Sequence, residues 1–195
     1  MFAILLPWAI RNWAVLGSPI FTRSDFGLEL QVSNNDLATA DLEKNVRTPV
    51  FQQLHPTTSV EQGEKVRVMG EVAYGNEKKQ EAYRWIAAHP GPFLGLTIRR
   101  VALFWFPRMH RLWQSAIEGA VSLVGICGFL LALKRKERIA WVSSPVMVLF
   151  PAIYYLIQSS PRYRLPIEPF TFLFGAYLVS LWETPRMRTS SAAAN

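Results

Sequence analysis

Two arginines separated by one residue lie in the short polar stretch Gln158-Ser159-Ser160-Pro161-Arg162-Tyr163-Arg164-Leu165-Pro166. A guanidinium presents a planar fork of donors that matches phosphate oxygens, and it keeps its charge at physiological pH. The stretch sits between two long apolar runs, at the depth where a lipid phosphate would lie. Arg162 and Arg164, with Tyr163 between them, are therefore candidates for holding the phosphate or pyrophosphate of a lipid carrier. Ordinary snorkelling to lipid headgroups is the simpler alternative. Two carboxylates, Glu118 and Glu168, lie near the starts of the first and the third of the long apolar runs. Glu168 suits a pairing with Arg162 or Arg164. Glu118 could likewise partner an arginine or face a wet cavity, or simply be interfacial.

Other chemistry is harder to find. Gly91-x-x-x-Gly95 lacks the Lys-Ser/Thr that a phosphate loop needs. His55, His89 and His110 are scattered, without the spacing of metal ligands. Ser143-Ser144 and Ser159-Ser160 have no nearby histidine to activate them. Cys127 falls in the middle of an apolar run and reads as packing. The segment holds no self-contained catalytic group, and no cofactor or metal is assigned to it.

The elements that position the arginines follow from hydropathy and charge. The chain has 195 residues, of which 50% are hydrophobic and only 18% charged. Disorder is excluded by the amount of apolar surface, and a disulfide scaffold by the single cysteine. The 21 Lys and Arg exceed the 14 Asp and Glu by seven, and the position of that excess is informative. Three runs, 112–133, 140–158 and 166–183, approach the ~20 apolar residues needed to cross a bilayer. Trp113, Trp141 and Trp182 mark their ends, as aromatic belts do. The basic loop Lys134-Arg135-Lys136-Glu137-Arg138 reads as cytoplasmic by the positive-inside rule. Residues 13–111 are then extracytoplasmic. Residues 134–139 and the tail 184–195, with Arg186 and Arg188, are cytoplasmic.

Residues 1–12 read as the last turns of a spanning helix whose start is missing, because Met1 to Ile10 is apolar but too short to span. The extracytoplasmic segment 13–92 is polar. Gly17-Ser18-Pro19 and Asp25-Phe26-Gly27 predict turns. Leu28-Glu29-Leu30-Gln31-Val32 alternates and predicts a half-buried strand. Ser33-Asn34-Asn35-Asp36 is placed to cap a helix over Leu37 to Asn45. Glu71 to His89 predicts a helix with Ala82, Trp85, Ile86 and His89 on one face. Residues 93–108 predict an amphipathic, basic, aromatic-rich helix in the interface plane, with Leu94, Ile98, Val101 and Trp105 as its stripe. The expected fold class is mainly α and integral to the membrane. It has three C-terminal transmembrane helices, an N-terminal helix stub and a small mixed α/β or irregular extracytoplasmic segment. At roughly 75 residues that segment is marginal for an independent core.

A set of short motifs in this order resembles a known family. Pro7-Trp8-x-Ile10-Arg11-Asn12-Trp13 is followed by Phe26-Gly27-Leu28-Glu29-Leu30 and Asn34-Asn35. The likeness continues through Glu71, Tyr74, Ala82, Trp85-Ile86, His89-Pro90, Phe93-Leu94, Arg99-Arg100 and Phe104-Trp105. It ends with Arg162-Tyr163-Arg164-Leu165-Pro166-x-Glu168-Pro169. Together these are similar to the late part of bacterial dolichyl-phosphate-mannose protein mannosyltransferase-like membrane glycosyltransferases of the GT-C fold. The resemblance implies a multi-span enzyme of the inner (plasma) membrane. Such an enzyme takes a sugar from a polyprenyl-phosphate donor and passes it to a protein, lipid or glycan acceptor on the extracytoplasmic side.

The family's general base is an acidic residue in its first extracytoplasmic loop, and no residue here corresponds to it. The chain is thus expected to be the C-terminal portion, inactive alone, with a missing N-terminal transmembrane half as partner. Any divalent metal of the full enzyme is left open. Arg11, Asn34 and Asn35 match family positions and are expected at a cavity rim with Glu118 and Glu168. The competing reading is a non-catalytic membrane transport or assembly subunit with an extracytoplasmic cap. Nucleic-acid binding is set aside, because the basic residues sort to the two faces of the apolar runs.

Overall fold

The computed structural model describes the backbone of residues 2–18, 20 and 25–192, and the side chains of residues 6–18, 20 and 25–181. Pro19 and the side chains of Trp182, Arg186 and Arg188 lie outside the described residues. The helices are α1 (Phe2–Leu16), α2 (Phe26–Ser33), α3 (Leu42–Asn45), α4 (Pro49–Leu54), α5 (Val60–Met69), α6 (Glu71–Ala88) and α7 (Pro90–Trp105). They are followed by α8 (Leu112–Lys134), α9 (Arg138–Ser144), α10 (Phe150–Leu156) and α11 (Glu168–Ala192). No β-strand occurs among the described residues. The chain divides into two compact units, Met1–Ile98 with Leu156–Gln158, and Arg99–Tyr155 with Ser159–Asn195.

In the first unit α1 runs four residues past the expected boundary at residue 12 and stops at Gly17, whose φ of 68° suits a residue without a Cβ. The chain over residues 28–32 is helix α2, not the expected strand. Alternation over five residues misleads here because α2 is buried almost all round: Leu28, Leu30, Gln31, Val32 and Ser33 are all inside. Its Glu29 and Ser33 therefore find an interior partner in Gln158. Gly27 likewise is no turn. It lies within α2, where an added Cβ would collide with the Gly75 carbonyl of α6. The expected helix over 37–45 shrinks to α3, capped by the Asp41 carboxylate accepting from the Glu43 N–H at 2.9 Å. Asn34 and Asn35 cap the end of α2 instead.

Thr48, with Pro49 behind it, caps α4, and Ser59 caps α5. Gly70, at φ 83°, separates α5 from α6 with one residue. The expected α6 forms, ending at Ala88 with His89 as its cap. Its buried face is Tyr74, Gly75, Lys78 and Ala82; of the expected stripe, Trp85 and Ile86 are half-buried and His89 is exposed. Leu28, Val32, Phe51 and Tyr74 form the apolar cluster of this unit. Buried Lys78 pairs with Glu81 at 3.0 Å and lies 5.5 Å from the centre of the Tyr74 ring.

In the second unit α8 and α11 cross closely. Ser122, Gly125, Gly128 and Ala132 line the buried side of α8. A Cβ at Gly128 would collide with the Phe174 carbonyl, and one at Gly125 with Thr171. Small residues let helix backbones approach in this way. Phe129, Ala132, Ala140, Met147 and Phe174 form the core. The basic loop turns tightly at Lys136, which adopts a left-handed φ of 59°. After it, α9, a π-helical turn (Pro145–Leu149) and α10 run end to end. The wider turn accommodates Pro145, which lacks an N–H to donate.

Two helical stretches, Leu112–Lys134 and Arg138–Leu156, are long and apolar enough to cross a membrane. Within the described side chains Glu168–Leu181 is apolar but shorter. The helical backbone of α11 continues through Ala192, past the expected end of the run at 183. Trp113, Leu123, Leu130, Trp141, Val142 and Leu149 are exposed on the long stretches. The expected interfacial helix begins at Pro90 rather than 93 and ends at Trp105 rather than 108. Its Leu94 and Ile98 are exposed, while Arg100 and Phe104 are buried. Burial pulls the Arg100 guanidinium down to about 10, so it remains cationic at neutral pH.

Candidate functional site

The polar stretch after α10 folds into a short 3-10 turn over Pro161–Arg164. Pro161 suits its first position, and the Tyr163 N–H donates to the Ser160 carbonyl at 3.0 Å. The turn separates the two arginines. Arg164 is buried, with 1% of its surface exposed, whereas Arg162 is exposed. Arg164 Nη1 lies 3.4 Å from Glu118 Oε2, and its Nη2 donates to Ser122 Oγ at 2.7 Å. Its buried Nε has no hydrogen-bond partner among the described residues. Burial lowers the Arg164 pKa, and the carboxylates of Glu118 and then Glu168 oppose that shift. Glu118, not Glu168, thus supplies the close partner. Glu168, half-buried at the start of α11, acts on Arg164 only through its field.

Tyr163 stacks on Tyr154 with ring centres 4.6 Å apart, and Tyr154 stacks on Phe104 at 5.9 Å. The Arg162 guanidinium lies 5.6 Å from the centre of the Tyr163 ring. Phe104 also meets Tyr155 edge-on, and Trp105 Nε1 donates to the Tyr155 hydroxyl at 2.8 Å. The result is an aromatic column with an exposed guanidinium at one end. Such an arrangement offers an anion a charged fork whose flexible stem is restrained by a ring face.

The remaining candidates lie in the first unit and are held within it. Asn34 is buried; its Nδ2 donates to the Leu30 and Leu156 carbonyls at 2.7 and 3.0 Å. Asn35 Nδ2 donates to the Gln31 and Val32 carbonyls, closing the end of α2. Exposed Arg11 donates to Asn12 Oδ1 at 3.0 Å and lies 5.3 Å from the centre of the Trp8 ring. Gln158 belongs to the same network. Its N–H donates to Ser33 Oγ, its Nε2 to Glu29 Oε2, and its Oε1 accepts from Asn45 Nδ2 at 2.5 Å.

Ser122, Tyr154 and Phe104 were not singled out as site residues from sequence. The four-residue spacing of Glu118 and Ser122 puts both on one helix face and was a usable signal. Nothing local marks Tyr154 as the partner of Tyr163. Among the described residues no group of His, Cys, Asp and Glu is arranged to hold a metal ion. No family model, curated protein or solved structure matches the chain.

Proposed function

We propose that the chain is the carrier-phosphate-binding, C-terminal part of a multi-pass membrane glycosyltransferase with the GT-C fold. In this reading α8, α9–α10 and α11 all cross the inner membrane, and the Pro161–Arg164 turn lies on the extracytoplasmic side. A polyprenyl-phosphate-sugar is the donor, and a protein, lipid or glycan the acceptor. Transfer at the anomeric carbon needs a base for the acceptor hydroxyl and neutralisation of the phosphate that leaves. No residue of this chain is assigned as the base, and the arginine turn stabilises the charge that builds on the phosphate. The observation that carries the reading is exposed Arg162 on the Tyr163–Tyr154 stack, next to an apolar helix end.

Replacing Arg162 by Gln in the complete membrane protein tests it, with affinity for a radiolabelled polyprenyl-phosphate-sugar as readout. Loss of one charge-assisted contact weakens binding about tenfold or more. Unchanged affinity sinks the proposal. A second reading, a non-catalytic transport or assembly subunit, is favoured by the interior engagement of Asn34, Asn35 and Arg164. Sugar transfer to an acceptor extract by the complete protein separates the two.

A further inference from the structure

We infer that Arg164 is a positioning residue: anchored to Glu118 and Ser122, it sets the Pro161–Arg164 turn so that Arg162 is the guanidinium presented outward. The inference rests on reading this turn as the carrier-phosphate site. Sequence alone treats the two arginines as equivalent forks for one phosphate. The 3-10 geometry makes them different. With about three residues per turn, positions i and i+2 point to different sides. One side faces the protein, and Arg164 occupies it.

Its two Nη groups are both engaged by α8. Nη1 faces the Glu118 carboxylate and Nη2 donates to Ser122 Oγ. Ser122 Oγ itself donates to the Glu118 carbonyl at 2.8 Å, which leaves its lone pairs turned to the arginine. The acceptors are one helical turn apart, so they meet the guanidinium as a fixed pair. The neighbouring residue supplies an attachment of a different kind, the stack of Tyr163 on Tyr154 and of Tyr154 on Phe104. A turn of four residues, held by an ion pair at one residue and a ring stack at the next, has little freedom left. Arg162 is the residue of this pair that such fixing leaves outside.

The test uses the complete protein in lipid nanodiscs. Amide exchange over residues 159–167 reports the turn, and binding of a polyprenyl phosphate reports the site. R164Q and E118Q are expected to speed exchange in the turn about tenfold or more. R164K, which keeps the charge but loses the planar fork, falls between R164Q and wild type. R162Q leaves exchange unchanged and weakens polyprenyl-phosphate binding. A space-filling role for Arg164 predicts instead that R164K and R164Q behave alike, and that E118Q exchanges at the wild-type rate. Either result overturns the inference. If R164Q does not fold, S122A decides, since it removes the 2.7 Å bond to Arg164 and otherwise only the bond of Ser122 to the Glu118 carbonyl within α8. Wild-type exchange in S122A then defeats the positioning role. A loosened turn in R164Q and E118Q, with polyprenyl-phosphate binding unchanged in every variant, supports the positioning role and removes the carrier reading.

Discussion

At the scale of single residues, identical side chains do different work when the backbone sends them to different sides. Arg162 and Arg164 illustrate this, and so do the histidines. His55 stacks on Phe51 with ring centres 4.8 Å apart, and its Nδ1 accepts from the Thr57 N–H. Burial holds its pKa below the ordinary 6.5, with the Asp25 carboxylate opposing. The folded state therefore prefers the neutral ring. The stability that His55 contributes is fully present above the ordinary value and is lost as pH falls through the lowered one. Thermal denaturation from about pH 7.5 down to about pH 5 should show a falling midpoint, and H55Q should flatten that dependence. An equal slope in H55Q would remove the assignment. The pairing of Arg164 with an acid was legible in the sequence, and Glu118 and Glu168 were both open as that acid, but the choice between them was not. Glu168 is four residues away and Glu118 forty-six, and only tertiary packing brings the distant one within 3.4 Å.

Helices were legible where the apolar period is long and illegible where it is short. Helices α6, α7 and α8 start and stop within a few residues of where proline, charge and hydropathy place them. The segment over α2 misled, because a helix buried almost all round has no polar face to reveal its period. The glycines carry information that local turn rules misread. Gly27 and Gly128 sit inside helices, each against the carbonyl of a crossing helix. G27A and G128A should each cost about 1–3 kcal/mol, since backbone rather than a movable side chain stands in the way. Gly91 and Gly95, with open space around their missing Cβ, serve as controls, and G95A should not destabilise. Thermal midpoints of the four variants in detergent check this. A G128A midpoint equal to that of G95A would mean that α8 and α11 do not cross closely.

For the molecule as a whole, the proposed topology makes a chemical prediction through the single cysteine. Cys127 lies in α8 and is exposed on the protein surface, on a helix whose surroundings are then lipid. A membrane-impermeant maleimide should leave it unmodified in intact cells and in open vesicles, and label it once detergent is added. With C127S as background, a cysteine placed at Lys136 should react only when the cytoplasmic face is open. Labelling of Cys127 in intact membranes would contradict a bilayer crossing by α8.

The π turn at Pro145–Leu149 has a consequence for tolerance to insertions and deletions. A π turn holds one more residue than the α turn it replaces, so the helix after it is out of phase with the helix before it. Removing one residue there, such as Val146, would let ordinary winding resume and swing Tyr154 about 100° around the helix axis. The ring would then leave the column between Phe104 and Tyr163 although no residue of that column had been altered. The chain should thus accept substitutions on the outer face of this helix far more readily than a change of one in its length.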